Sequence, residues 1–165
     1  MHQPPSALDV AIGPEAYAGD GPRRVVEAAE DELVLRYGGL DPSETGLTAA
    51  MFDPPAGTFL VARSGDGAVV GGVGVRPYEH EPGVGEIKRL WVDPVWRRHG
   101  LGRRLMDEAE STARGLGFSS LHLATGDHQP EAVALYEGSA WVRRRTDHAG
   151  AVLPDWHLQF TKRLG

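Results

Sequence analysis

Apolar residues recur along this chain in two rhythms, and the switches between them set out an order of elements. Leu8, Val10 and Ile12 alternate with other residues and predict a first strand. Over Pro22 to Arg36, Val25, Val26, Ala29 and Leu33 share a helical face, and Gly38-Gly39 stops the helix. A short second helix is expected over Leu47 to Phe52. Thr58 to Arg63 and Ala68 to Val75 are apolar, β-branched runs joined by Gly65-Asp66-Gly67, which reads as a hairpin. The loop Glu79 to Gly83 leads into a fourth strand, Val84 to Val92. Beyond it Leu101, Leu105, Ala109, Thr112, Ala113 and Leu116 line one helical face, with Arg103, Arg104, Asp107, Glu108, Glu110, Ser111 and Arg114 opposite. Gly115 and Gly117 suit the end of that helix. Ser119 to Ala124 reads as a fifth strand, Pro130 to Gly138 as a helix opened by proline, and Ala140 to Arg144 and Trp156 to Lys162 as the last strands.

This order predicts a single-domain mixed α/β fold, a central sheet of about six or seven strands with helices on both faces. The stretches Gly13 to Pro22 and Glu79 to Gly85 read as loops, and the residues before Leu8 as a flexible lead-in. At 165 residues and 41% apolar content, the chain suits one buried core and no second domain.

Charge and composition narrow the function. A net charge of −6 argues against nucleic acid as the main partner, because phosphate-backbone binding wants a broadly basic face. There is no cysteine, which excludes disulfides, thiolate metal sites and a cysteine nucleophile. Met1-His2-Gln3-Pro4-Pro5 has neither a basic region nor an apolar stretch, and no run approaches the roughly 18 apolar residues of a membrane helix. A soluble, cytoplasmic protein without membrane association is expected.

Against this acidic background, Pro94 to Met106 carries four arginines and no acid, in the run Arg97-Arg98-His99-Gly100-Leu101-Gly102-Arg103-Arg104. A strand precedes it and an amphipathic helix follows. The first amides of a helix have no partner inside it, and glycine lets backbone approach an anion closely, so the segment reads as a phosphate cradle. Four cations at a helix N-terminus are unfavourable there, and an anionic ligand relieves them. The bland alternative is a loop with a solvated basic edge. Other nucleotide motifs fail: Gly100-Leu101-Gly102 lacks the third glycine of a dinucleotide fingerprint, Gly72-Val73-Gly74 runs into Pro77, and no P-loop Gly-Lys-Ser/Thr occurs.

Arg97-Arg98-His99-Gly100-Leu101-Gly102 resembles the Q/R-x-x-G-x-G/A signature of the GNAT superfamily of acyl-CoA N-acyltransferases, and Glu86 to Pro94 resembles the strand before it. A second block, Gln129-Pro130-Glu131-Ala132-Val133-Ala134-Leu135-Tyr136, is similar to the family's N-x-x-A-x-x-L-Y helix, with glutamine in place of asparagine. The resemblance covers about Thr58 to Val142. It implies a sheet splayed between its fourth and fifth strands with the pantetheine arm of acetyl-CoA in the gap. Backbone groups of Leu90, Trp91 and Val92 would pair with pantetheine, Gln129 would reach it from the helix, and Arg97, Arg98, His99, Gly100, Leu101, Gly102 and Arg103 would hold the pyrophosphate. A homodimer is compatible with it.

Acyl transfer to an amine needs a neutral amine, a stabilised oxyanion and a proton for the departing thiolate. By the resemblance Tyr136 faces the thioester sulfur and donates to it; a core tyrosine is the alternative, since Ala132, Val133, Leu135 and Tyr136 form an apolar face. Glu86 is the candidate base, directly or through water, with a structural salt bridge to Lys88 or an arginine as its alternative. Some relatives carry a glutamate five residues before the Gln129 position, where this chain has Ala124. Asp127 and His128 either orient an acceptor or are solvated loop residues. Trp91, Trp96, Trp141 and Trp156 line an acceptor pocket or pack in the core. The seven histidines show no metal-ligand spacing, so no metal is expected. Glu79, Glu81 and Glu86 would give an acidic mouth that favours cationic amines. The expected activity is acetyl-CoA-dependent N-acetylation of a small-molecule primary amine. A non-catalytic acyl-CoA-binding domain and a protein-interaction module are its rivals.

Overall fold

The computed structural model describes residues 9–40 and 45–165. Their elements run β1 (Ala11–Glu15), α1 (Asp20–Tyr37), α2 (Ala49–Phe52), β2 (Thr58–Arg63), β3 (Val69–Pro77), β4 (Val84–Val92), α3 (Leu101–Gly115), β5 (Ser120–Gly126), α4 (Pro130–Glu137), β6 (Val142–Arg144) and β7 (His157–Arg163). A 3-10 turn, Pro94–Trp96, sits between β4 and α3, where Asp93 accepts from the Val95 amide. The seven strands form one sheet in the order β1-β2-β3-β4-β5-β7-β6. Every neighbouring pair is antiparallel except β4 and β5, which are parallel. This is the mixed α/β sheet expected from the pattern.

Side chains of β2 show how the two layers form. Phe59 and Val61 pack with Val25, Ala29 and Phe52 of α1 and α2, whereas Leu60 and Ala62 pack with Leu105, Ala109 and Ala113 of α3. Successive strand residues face opposite sides, so a nearly unbroken apolar run means helices on both faces. In α3 the apolar stripe Leu101, Leu105, Met106, Ala109 and Ala113 is buried, and Glu110, expected on the polar face, is buried beside it because it pairs with Lys162 of β7 at 2.6 Å.

The first strand differs from the expected Leu8-Val10-Ile12 alternation. Leu8 lies outside the described residues, Val10 is buried just before the strand, and β1 takes in Gly13 and Pro14, which read as loop. An edge strand is hydrogen-bonded on one side only, so proline costs it little. At the other end Trp156 precedes β7, and Ala140 adopts a left-handed φ of 63° before β6.

The central irregularity is in β4. Gly72 pairs with Trp91 and Gly74 with Lys88, so Arg89 and Leu90 together oppose one residue of β3. Arg89 has φ of 58°, a bulge conformation that costs a non-glycine residue about 1–3 kcal/mol. Its guanidinium pairs with Glu30 of α1 at 3.1 Å.

Close approach of α2 to the sheet depends on Gly74, where an added Cβ would lie 2.6 Å from the Phe52 ring. Gly74→Ala is expected to lower stability by about 1–3 kcal/mol through overpacking. Urea denaturation followed by tryptophan fluorescence measures it, and an unchanged midpoint would refute this account of the α2 contact.

Candidate active site

Pairing between β4 and β5 covers Val84↔Ser120, Gly85↔Leu121 and Glu86↔His122, and then stops. Beyond this point the strands part, and a cleft of about 440 Å³ opens between residues 87–91 of β4 and 123–126 of β5. The bulge bends β4 away from its neighbour, and the β4–β5 ladder has no rung beyond Glu86↔His122. α4 lines the cleft with Gln129, Ala132 and Tyr136, the end of α1 with Leu33 and Tyr37, and the start of β7 with Trp156 and His157.

Leu90, Trp91, Gln129 and Tyr136 are thus brought together. Tyr136 is buried, with its ring 5.7 Å from that of Phe160 and 5.9 Å from that of Trp141. Burial pushes its phenol well above the ordinary value, so the hydroxyl keeps its proton and acts as a donor. Gln129 is the N-cap of α4, and its carbonyl accepts from the amides of Ala132 and Val133 at 3.1 Å each.

Val92 ends β4, and Arg97 to Arg103 follow it into α3. Gly100 caps this helix in the left-handed region, φ 81°, and no side chain caps it. The first amide bonded back to Gly100 is that of Arg104, at 3.1 Å, so the N–H groups of Leu101, Gly102 and Arg103 lack helical partners. A Cβ on Gly102 would meet only ordinary contacts, 3.6 Å to Leu135 and 3.9 Å to Val92. The protein's own packing does not require glycine there, whereas an anion seated on these amides would.

The arginines divide by role. Arg97 donates through Nε to the Val92 carbonyl at 2.9 Å and forms an ion pair with Glu32 of α1. Arg104 donates to the Val10 carbonyl at 3.1 Å. Arg98, at φ 65°, and Arg103 are exposed, as is His99. Two cations therefore tie the turn to the fold and two face outward.

Glu86 stands directly across from Arg76 of β3 in the ladder and is buried. Arg76 donates to its Oε1 at 2.8 Å, and His122 Nδ1 lies 3.4 Å from its Oε2. Burial works to raise the Glu86 carboxyl, but His122, Lys88 and Arg76 together outweigh it and hold the group below the ordinary carboxylate range. The expected acidic mouth is not formed. Glu79 pairs with Arg76 at 3.6 Å and Glu81 with Arg144 at 2.7 Å, so each acid of that group is countered by an arginine.

His128 belongs to a clasp across the cleft. Its amide donates to the Tyr37 hydroxyl at 3.0 Å, its ring stacks on Tyr37 at 4.9 Å, and its Nδ1 lies 3.1 Å from the Arg36 carbonyl. Arg36 also pairs with Glu131. Asp127 is exposed beside His128, at 3.6 Å. Of the tryptophans, Trp91 and Trp156 line the cleft, Trp141 is core, and Trp96 packs against the core. His122, His157 and Gln159 escaped the sequence reading. Their signal was polar residues at alternate positions within the apolar strands β5 and β7.

The model of the "Acetyltransferase (GNAT) family" matches residues 24–139. The chain belongs to that family. It is 36% identical over 138 residues to an IAA acetyltransferase of Azospirillum brasilense, covering 82% of this chain and 86% of that one. It is also 55% identical over 90 residues to a mycothiol acetyltransferase of Thermobifida fusca, a match to 47% of this chain and 27% of that longer protein. A GNAT family acetyltransferase from Elizabethkingia anophelis, solved with acetyl-CoA bound, superposes with a TM-score of 0.63 at 17% identity, over 94% of this chain and 98% of that one, a likeness of fold. The splayed β4 and β5 of this GNAT protein and the open N-terminus of its α3 are the parts that the resemblance in sequence called for. Among the described residues no helix is long and apolar enough to cross a membrane.

The Glu86 pair gives a stability prediction with a definite sign. A carboxyl held below its unfolded value stabilises the fold above that unfolded value, near ~4.3, and the contribution fades as pH falls through the lower folded value. Glu86→Gln is expected to destabilise at neutral pH by about 1–3 kcal/mol, since the buried Arg76 loses its buried carboxylate and keeps only the exposed Glu79, and to flatten the acid loss. Thermal melts of both proteins from pH 7 to pH 3 test this; parallel curves would remove Glu86 as the source.

Proposed function

We propose that this GNAT protein is an acetyl-CoA-dependent N-acetyltransferase that moves the acetyl group directly to the primary amine of a small molecule. The observation that carries the reading is the cleft through the sheet, which joins the β4 bulge on one side to Tyr136 on the other. Acetyl-CoA supplies the activated acyl group. The amides of Leu101, Gly102 and Arg103 would hold its diphosphate at the α3 N-terminus, with Arg98 and Arg103 adding charge. Backbone groups of Leu90, Trp91 and Val92 would take the place of the missing β5 ladder and pair with the pantetheine arm, and Gln129 would close on it from α4.

Tyr136 donates a hydrogen bond to the sulfur as the thiolate leaves. A buried phenol of raised pKa is never phenolate at neutral pH, so the donor is always in place. The chain has no cysteine to form a thioester of its own, which fits direct transfer. Glu86 enters this proposal as an anchored anion acting through neighbours. Arg76 occupies it, and the β4 lining of the cleft begins at Ile87. The position of the missing glutamate, Ala124, lies in the cleft wall, so the proton acceptor must come from another strand.

Free thiol released from acetyl-CoA over a panel of polyamines, amino acids, aminoglycosides and peptide N-termini tests the activity; binding of acetyl-CoA without thiol release from any of them would leave a non-catalytic binding domain. Tyr136→Phe is expected to lower kcat by about 10²-fold with the Kd for acetyl-CoA unchanged, as read by calorimetry. Reversing Arg98 and Arg103 to glutamate should weaken CoA binding at least about tenfold, by about 1.4 kcal/mol, and an unaltered Kd would dismiss the α3 cradle.

A further inference from the structure

We infer that His157 is the base that accepts the proton of the acceptor amine, and that Gln159, His122 and Glu86 are positioning residues that turn its Nδ1 lone pair into the cleft. The inference rests on the acetyl-transfer reading above.

The four side chains form a row across three adjacent strands. Glu86 of β4 lies 3.4 Å from His122 Nδ1 on β5. His122 Nε2 lies 3.1 Å from Gln159 Oε1 on β7, and Gln159 Nε2 lies 3.3 Å from His157 Nε2. His122 and Gln159 are buried, and the Tyr78 ring stacks on His122 at 4.0 Å and 8°, which fixes the imidazole plane. His157 is the member of the row that reaches the cleft wall. Its neighbours Leu158 and Phe160 belong to the core shared with α3 and α4, so His157 and Gln159 face the other side of the sheet. The base thus enters from the face opposite Tyr136.

Hydrogen-bond accounting gives the row a direction. Glu86 is ionised and only accepts; its 3.4 Å contact with His122 is an ion-pair distance longer than a hydrogen bond, and it is favourable only when His122 presents N–H at Nδ1. A neutral His122 then has its lone pair at Nε2, to which the Gln159 NH2 donates. The Gln159 oxygen is left toward His157 Nε2, which must carry a proton, and His157 Nδ1 is left bare. The structure draws the amide the other way round, oxygen toward His122 and NH2 toward His157; the two orientations are equal in shape, and the drawn one, with N–H also toward Glu86, needs a charged His122 as a third cation beside Arg76 and Lys88 around one buried carboxylate.

Other groups in the cleft do not compete. Glu32 is its one lining carboxylate among the described residues, and it is bound by Arg97 and Arg36. The remaining charged or titratable groups facing the cleft are Tyr37 of α1, Lys88 and Arg89 of β4, and Tyr136 of α4, side chains whose usual part is that of hydrogen-bond donor. In the step, the bond from amine nitrogen to acetyl carbon forms as the bond from that carbon to sulfur breaks. One N–H proton passes to His157 Nδ1, the departing thiolate accepts a hydrogen bond from Tyr136, and exchange with solvent takes the proton from His157 and supplies one to the released thiolate.

The test combines histidine ¹⁵N NMR of the whole protein with kinetics of His157→Gln, Gln159→Leu and Gln159→Glu. Expected is the Nε2–H tautomer of His157, lost in Gln159→Leu. His157→Gln should lower kcat/KM for the amine by about 10²-fold or more with acetyl-CoA affinity and melting temperature kept. That deficit should shrink as the pH rises and the amine deprotonates without help, a response that a merely structural role would not produce. Gln159→Glu, whose carboxylate still accepts from His157 Nε2, should recover the turnover that Gln159→Leu loses. A His157 protonated at Nδ1, or an active wild type with an equally active His157→Gln variant, overturns the base role alone. A wild type that binds acetyl-CoA and acetylates no amine overturns the acetyl-transfer reading and the base role with it.

Discussion

The break in the β4–β5 ladder is the constraint on which the rest of this structure depends. Two parallel strands that pair from Val84 to Glu86 on one side and from Ser120 to His122 on the other part at a bulge, and backbone that would have satisfied its neighbour faces a cleft instead. Peptide groups that line a gap look to solvent or a ligand where a neighbouring strand would otherwise stand. An extended, amide-bearing arm laid between the strands is the ligand shape that such a gap favours.

Ion pairs hold the break open. Arg89 leaves the ladder at a strained φ, and its guanidinium reaches Glu30 of α1. One turn of chain later, Arg97 reaches Glu32 of the same helix. α1 is thereby fastened to both ends of the splayed half of β4, while its last turn is fastened across the gap to the β5–α4 loop through Arg36, Tyr37, His128 and Glu131. On the near side of the break Glu86 lies between Arg76 and His122, in the last rung where the two strands still pair. The same residue ends the ladder and begins the polar row that leads to His157.

Much of the architecture was legible in the chain. Val84 to Val92 came out with its observed ends because the apolar run is bounded by Gly83 and Asp93-Pro94, and α3 because its stripe of Leu101, Leu105 and Ala109 has charged residues opposite. The open α3 N-terminus was legible for a similar reason: glycines and arginines at a strand-to-helix turn carry a local electrostatic meaning. The bulge was not, since nothing in Lys88-Arg89-Leu90 marks a residue about to adopt positive φ. Nor were the partners of the charges. Glu79, Glu81 and Glu86 look like one acidic patch along the chain and are neutralised in space, Glu79 and Glu86 by Arg76 and Glu81 by Arg144.

The sequence by itself determined the alternation of elements, the two-faced sheet, the phosphate-like turn and the helix bearing Gln129 and Tyr136, because these follow from spacings of a few residues that local sterics and helix or strand periodicity control. Only the tertiary structure decided which arginines are bound inward, that Glu86 is anchored to Arg76, and that His122, Gln159 and His157 stand in a row. Such groupings depend on the register between strands distant in sequence, and one slip of register would turn each of those side chains to the other face.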